Sequence, residues 1–184
     1  MKRIFIAVDI SDEAQLAAAA HTERIRHRSH NVRVSWVRPE NMHVTMKFLG
    51  DVDERRLESV KNAVSKSVEG IGPFQAGLSS PEAFGKRVLA IAIDDVSGNL
   101  GLIQTRIERG CSQIGFKEEN RRFRAHLTIG RIRDVKGTAS LTDAHTSLQI
   151  EPVSFEVDHV TIYESTLLST GSVYSRLVGL QLAT

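Results

Sequence analysis

Cysteine is nearly absent from this chain of 184 residues. Cys111 stands alone, which excludes an internal disulfide and any zinc site built from several thiolates. Only 4 prolines and 13 glycines are present, too few for a collagen-like or low-complexity chain. A surplus of charge of one sign is missing too. Lys and Arg number 24 against 22 Asp and Glu, a net +2. That balance excludes coating long nucleic acid by bulk charge and leaves a local basic patch open. No apolar run approaches the ~18 residues that span a bilayer. Lys2-Arg3 precede only the short run Ile4–Val8, so a signal peptide is not expected, and a reducing, cytoplasmic setting is. What remains is 41% hydrophobic and 25% charged, an ordinary globular composition at a length suited to one domain.

Strands are predicted at Ile4–Val8, Val32–Val37, Met42–Leu49 (closed by Gly50), Phe74–Leu78, Val88–Ile93, Ala125–Ile132, Val153–Tyr163 and Val173–Leu180. Pro81-Glu82-Ala83-Phe84-Gly85 reads as the connection between the fourth and fifth, and Gly171 marks the last turn. Helices are predicted from Ser11 as N-cap to Arg26, and from Asp53 with Val60, Val64 and Val68 in step. Two more are expected at Asn99–Ile114, with Leu102, Ile103, Ile107 and Ile114 on one side, and at Ser140–Leu148. Helices interrupt strand pairs, so the fold class is α+β with mostly antiparallel sheet.

A weak repeat runs through this order. His43-Val44-Thr45-Met46 and His126-Leu127-Thr128-Ile129 share the pattern His-apolar-Thr-apolar, 83 positions apart. In a strand, alternate side chains share a face. His43 and Thr45 thus oppose Val44 and Met46, and His126 and Thr128 oppose Leu127 and Ile129. Two similar lobes, each giving one such strand to a shared groove, would hold two imidazoles and two hydroxyls there. Cleaving a phosphodiester needs a base for the incoming oxygen and an acid for the departing one, on opposite sides of phosphorus. Histidine titrates beside working pH and suits both roles. The threonine hydroxyls can bind the phosphate oxygens, and Arg131 or Lys47 can add positive charge. A metal site is the weaker alternative, because neither histidine has a carboxylate or third histidine at ligand spacing.

On these residues the sequence resembles the two-histidine phosphoesterases, and within them the RNA 2',3'-cyclic phosphodiesterases, also called 2'-5' RNA ligases. The resemblance runs from Arg3-Ile4-Phe5-Ile6-Ala7-Val8 through Val37–Gly50 and His126-Leu127-Thr128-Ile129-Gly130-Arg131 to Ile162-Tyr163-Glu164-Ser165. It implies one bilobal domain over 1–184, two pseudo-symmetric lobes of mostly antiparallel sheet with outer helices and a central active-site groove. The implied activity is hydrolysis of 2',3'-cyclic phosphate RNA ends to 2'-phosphates, with no metal or organic cofactor. His43 would be the acid toward the leaving 3' oxygen and His126 the base toward water. Thr45, Thr128 and Arg131 would bind the phosphate. Partners would be RNA 3' ends or cyclic nucleotides, with no membrane and no obligate protein partner, and the chain would be a monomer. Ligation to a 5'-hydroxyl end, or binding of such ends without chemistry, are the alternatives.

Strict alternation opposes two details. It puts Arg131 on the face away from His126, unless the strand bulges at Gly130. It also puts Phe48 with Val44 and Met46, as a core aromatic. Arg121-Arg122-Phe123-Arg124 is a basic cluster with one aromatic that could steer RNA or remain a solvated loop. Arg55, Arg56 and Lys61 read as solvated helix residues. His21, His27 and His30 read as helix surface, and His145 falls in the fourth helix. His159-Val160-Thr161-Ile162 is a third His-x-Thr but lacks the Gly-Arg that follows His126. Tyr163 is expected in the cleft or core, and Cys111 as a buried small side chain.

Overall fold

The computed structural model describes residues 1–29, 32–85, 87–133, 137–169 and 171–183, so His30 lies outside the described residues. The first half runs β1 (Lys2–Val8), α1 (Asp12–Arg26), β2 (Val34–Trp36), β3 (Val44–Val52), α2 (Leu57–Val68) and β4 (Phe74–Phe84). The second runs β5 (Val88–Asp94), α3 (Asn99–Gln113), β6 (His126–Ile132), α4 (Thr138–Thr146), β7 (Ser154–Val157), β8 (His159–Leu168) and β9 (Gly171–Gln181). This is an α+β fold, with four α-helices among the described residues. Every described strand pairing is antiparallel, in one sheet ordered β7-β4-β5-β6-β3-β1-β8-β9, with β2 added on β6. Among the described residues no helix is long and apolar enough to cross a membrane.

Local chemistry fixes the elements. The Ser11 hydroxyl accepts the Ala14 N–H at 3.2 Å and caps α1, with Asp12 and Glu13 in its first turn. Helix α2 buries Val60, Val64 and Val68 on one stripe, as its spacing predicts. The buried stripe of α3 is Leu100, Ile103, Ile107 and Cys111, while Leu102 is turned outward and 42% exposed. Fully burying an isoleucine such as Ile103 contributes about 1.5–3 kcal/mol. Burial pushes the Cys111 thiol up to about 11, so it stays protonated.

Three strand limits differ from the sequence reading. Gly50 does not end β3; its positive φ of 73° sits in an irregular stretch opposite Ile4 and Phe5, and pairing continues to Val52. Pro81–Phe84 is not a connection but the second part of β4, paired with β5 beyond a register shift. The long strand expected at Val153–Tyr163 divides at Asp158 into β7 and β8, which join opposite ends of the sheet.

Pairing within the two halves of the sheet matches residue for residue. In β1–β3 the partners include Phe5 with Phe48, Ile6 with Lys47 and Ala7 with Thr45. In β5–β6 they include Val88 with Arg131, Leu89 with Gly130 and Ala90 with Thr128. Adding the 83 positions that separate the motifs carries each pair of the first set onto one of the second. Each strand pair also skips one residue at the same place, Met46 in β3 and Ile129 in β6. The halves of the chain are interleaved: β4 completes the side of β5 and β6, and β8 completes the side of β3 and β1.

Candidate active site

Strands β3 and β6 meet through one residue pair, Val44 with Leu127. Both side chains are fully buried in the core. Their chain neighbours therefore lie on the opposite face: His43 and Thr45 around Val44, His126 and Thr128 around Leu127. Because the strands are antiparallel, the two histidines fall at opposite ends of this pair. The four motif residues are brought to one face of the sheet, and all four are half-buried.

The small partners of the threonines keep that face open. Ala7 lies opposite Thr45, and Ala90 opposite Thr128. A cleft of about 730 Å³ opens there, a size suited to a small ligand. Its wall includes Thr45, His126, Thr128 and Arg131, with Phe48, Phe84 and the Arg121–Arg124 segment around them. Six lysines and arginines line it against three carboxylates, so the cleft favours an anion.

His43 stands beside that wall in an aromatic box. Its ring stacks on Phe5 at 4.8 Å and on Tyr163 at 6.2 Å, and meets the edge of Tyr174 at 5.3 Å. Burial lowers its pKa to about 4, against the opposing pull of the Asp9 carboxylate and a backbone hydrogen bond at Asn41. His126 packs against Phe84 with centroids 4.5 Å apart. Its Nδ1 is 2.7 Å from the Arg124 carbonyl. A carbonyl only accepts, so Nδ1 carries the hydrogen, and in the neutral ring Nε2 keeps its lone pair. Burial also lowers the His126 pKa, with Arg131 and Arg124 adding to the effect and the Arg124 carbonyl opposing it. Each histidine is thus tied to the backbone of the residue two positions before it.

The skipped residues decide which side chains reach the cleft. Beyond Ile129 the alternation of β6 is displaced, and Arg131 comes to lie opposite Val88, on the face of Ala90 and Thr128. Gly130 permits this. A Cβ there would stand 2.9 Å from the Trp36 ring and 3.0 Å from Val34. Beyond Met46 the same displacement brings Phe48 opposite Phe5, their rings 5.7 Å apart. Phe48 is therefore not a core aromatic: it is 62% exposed at the cleft rim. Lys47 is buried and committed. Its ammonium pairs with Glu108 and donates to the Lys117 carbonyl at 2.9 Å. Among the described residues Arg131 has no such partner, and it lines the cleft with His126 and Thr128.

Of the remaining sequence candidates, Arg121 pairs with Glu119 and Arg124 with Glu82, while Arg124 also lies 5.0 Å over the Phe84 ring. The third His-x-Thr serves another purpose. His159 Nε2, the Thr161 hydroxyl and the Tyr163 hydroxyl all meet the Asp9 carboxylate, at 2.9, 2.9 and 2.7 Å. Burial and this carboxylate push the Tyr163 phenol upward. Asp9 was not singled out from the sequence. The signal was its parity, since Phe5, Ala7 and Asp9 alternate onto the groove face. His21 is not a surface residue: its Nε2 lies 3.0 Å from Nδ1 of His145, and both rings are buried.

Paired imidazoles, each with a threonine, on a fold of interleaved antiparallel halves define the two-histidine phosphoesterases. The chain belongs to the 2'-5' RNA ligase superfamily, whose family model matches residues 14–167. It is 31% identical over 175 residues to the RNA 2',3'-cyclic phosphodiesterase of Methanocaldococcus jannaschii, covering 94% of this chain and 96% of that one. The Thermotoga maritima protein of the same description is 29% identical, with 95% and 92% covered. Among solved structures, a Thermus thermophilus protein matches with a TM-score of 0.79 at 20% identity, over 98% of this chain and 97% of that one. E. coli LigT in its apo form matches with a TM-score of 0.77 at 20% identity, over 100% and 98%. These structures share its fold.

Proposed function

We propose that the chain hydrolyses 2',3'-cyclic phosphate ends of RNA to 2'-phosphates in the groove between its two sheet halves, which act as pseudo-symmetric lobes. The observation that carries this reading is the meeting of the two His-x-Thr strands at Val44 and Leu127, which turns both imidazoles to one face from opposite ends. Relatives described as RNA 2',3'-cyclic phosphodiesterases over nearly the whole chain support the substrate class. So does E. coli LigT, crystallised with 3'-AMP.

The steps follow from the ring environments. His126 Nε2 takes a proton from water as the water oxygen attacks phosphorus. The bond from phosphorus to the 3' oxygen breaks, and His43 gives that oxygen its proton. Burial lowers the His43 pKa to about 4 and Asp9 pulls the other way, so the proton for the leaving oxygen is held once the phosphate anion adds its own pull. Thr45 and Thr128 donate to the phosphate oxygens, and Arg131 offsets the charge that builds on them. Side chains supply every group in this scheme, so turnover is expected in EDTA. The test is incubation of an oligoribonucleotide bearing a 2',3'-cyclic phosphate, alone and with a 5'-hydroxyl oligomer. A 2'-phosphate product supports hydrolysis, a joined product assigns ligation, and an unchanged cyclic end overturns both.

A further inference from the structure

A second groove lies outside the cleft, between α2 and α3, with a volume of about 470 Å³. Its sides carry Ser59, Asn62 and Lys66 from α2, and Arg106, Arg109 and Gln113 from α3. Gly110 floors it, so close to α2 that a Cβ would stand 3.3 Å from the Ala63 carbonyl. Three cations line this groove and no carboxylate does. Arg106 donates to the Glu69 carbonyl at 2.9 Å, which fixes its guanidinium at the rim. Lys66 and Arg109 are exposed and carry no ion pair among the described residues. Uncompensated cations interspersed with hydroxyl and amide groups suit a repeating phosphate backbone better than a protein surface.

Helix α3 separates the groove from the cleft, turning Arg106, Arg109 and Gln113 to the one and Gln104 and Glu108 to the other. The two come nearest at the end of α3, where Ile114 lines the groove and Lys117, three residues on, lines the cleft. Arg56 covers that turn, donating to the Ile114 carbonyl at 2.6 Å with its guanidinium 4.3 Å over the Phe116 ring. A strand leaving the cleft for the groove would pass this end of α3, where Arg56 adds positive charge.

We infer that the groove between α2 and α3 binds the phosphodiester backbone of single-stranded RNA upstream of the 3' end held in the cleft. The inference rests on the reading of the cleft as an RNA-end site and adds a substrate class to it: oligomers are held at both places, mononucleotides only at the cleft.

The test is binding of 5'-labelled oligoribonucleotides of 2 to 12 residues ending in 2'-phosphate, read by fluorescence anisotropy across a salt series. Each contact to a single strand contributes about 0.7 to the slope of log affinity against log salt. The Lys66→Gln/Arg109→Gln variant should lower that slope by about 1.4 for the longest oligomer and leave the dinucleotide unchanged. Between 50 and 200 mM salt this is a difference of about 7-fold in affinity loss. Lys61→Gln removes a charge from α2 that pairs with Glu58 and does not line the groove, and it should behave as wild type. Equal slopes in the double variant and wild type overturn the groove, as does an equal effect of Lys61→Gln. Hydrolysis of a 2',3'-cyclic mononucleotide, measured alongside, reports on the cleft alone. Its absence with the binding difference intact counts against the catalytic reading and not against the groove.

Discussion

Phe48 and Arg131 occupy the same place in the two halves of the sheet: each lies five residues beyond its motif histidine, past one skipped residue, on the face that holds the imidazoles. One half therefore presents an exposed aromatic ring at the cleft, and the other a guanidinium with no ion pair among the described residues. The repeat is symmetric in backbone and asymmetric in chemistry, which suits the proposed substrate, with a base at one end of its phosphate.

Replacing either histidine should remove proton transfer and leave the fold. His43→Ala and His126→Ala are each expected to lose about 10²–10⁴-fold in kcat, a typical range for acid–base groups. Circular dichroism and Tm should stay close to wild type, since both rings line a groove. Turnover within tenfold of wild type in either variant would contradict the assignment.

The pH profile should show reversed protonation. The free enzyme holds its base neutral only above the lowered pKa of His126, and its acid charged only below about 4 at His43. The optimum of kcat/KM is therefore expected on the acid side of 6.5. A bound phosphate anion raises the pKa of His43, so the alkaline limb of kcat should lie at higher pH than that of kcat/KM. Coincident limbs at or above pH 7 would be inconsistent with two desolvated imidazoles.

The two positions beyond the skipped residues should separate binding from chemistry. Phe48→Ala is expected to raise KM for a cyclic nucleotide about tenfold through lost stacking, with kcat nearly unchanged. Arg131→Ala should instead lower kcat by about 100-fold, and Arg131→Lys should recover part of it. Steady-state kinetics on both variants decides the matter: the opposite split would exchange their roles.

Acid should destabilise the fold through His21 and His145. His145 Nε2 donates to the Ala90 carbonyl at 2.9 Å, its Nδ1 accepts from His21, and the His21 Nδ1 is buried with no hydrogen-bond partner among the described residues. Burial, with the neighbouring His145 ring, lowers the His21 pKa to about 4. Between its unfolded value near 6.5 and about 4 the unfolded chain binds the extra proton, so stability falls as pH drops through that window. The loss is on the order of 3 kcal/mol from His21. Urea unfolding from pH 7 to 4 should show it, and His21→Leu should flatten the slope. A wild-type stability independent of pH over that range would refute it.

Local chemistry made much of this legible in the sequence. The N-cap at Ser11, the Val60-Val64-Val68 stripe and the two His-x-Thr strands all depend on residues near one another in the chain. The 83-position offset also anticipated the matched register, because one strand pattern builds one ladder. Phe48 and Lys47 were misplaced because strict alternation cannot see a skipped residue, which is set by the partner strand. Gly130 was the exception: a glycine in a strand marks close backbone approach, and Trp36 is what approaches. The His21–His145 pair left no local signal, since 124 residues separate the rings. Asp9 showed only its parity with Phe5 and Ala7; the three donors that give it a role arrive from β8, at least 150 residues on.

The solitary contact of Val44 with Leu127 has a mechanical consequence. Among the described residues it is the only paired position between β3 and β6, so tilting one half against the other would alter the gap between the two imidazoles and spare the ladders within each half. A phosphorus seated astride this seam becomes a second fastening. Occupancy should then stiffen the molecule at its waist, and slower amide exchange at Val44 and Leu127 is how that tightening would be seen.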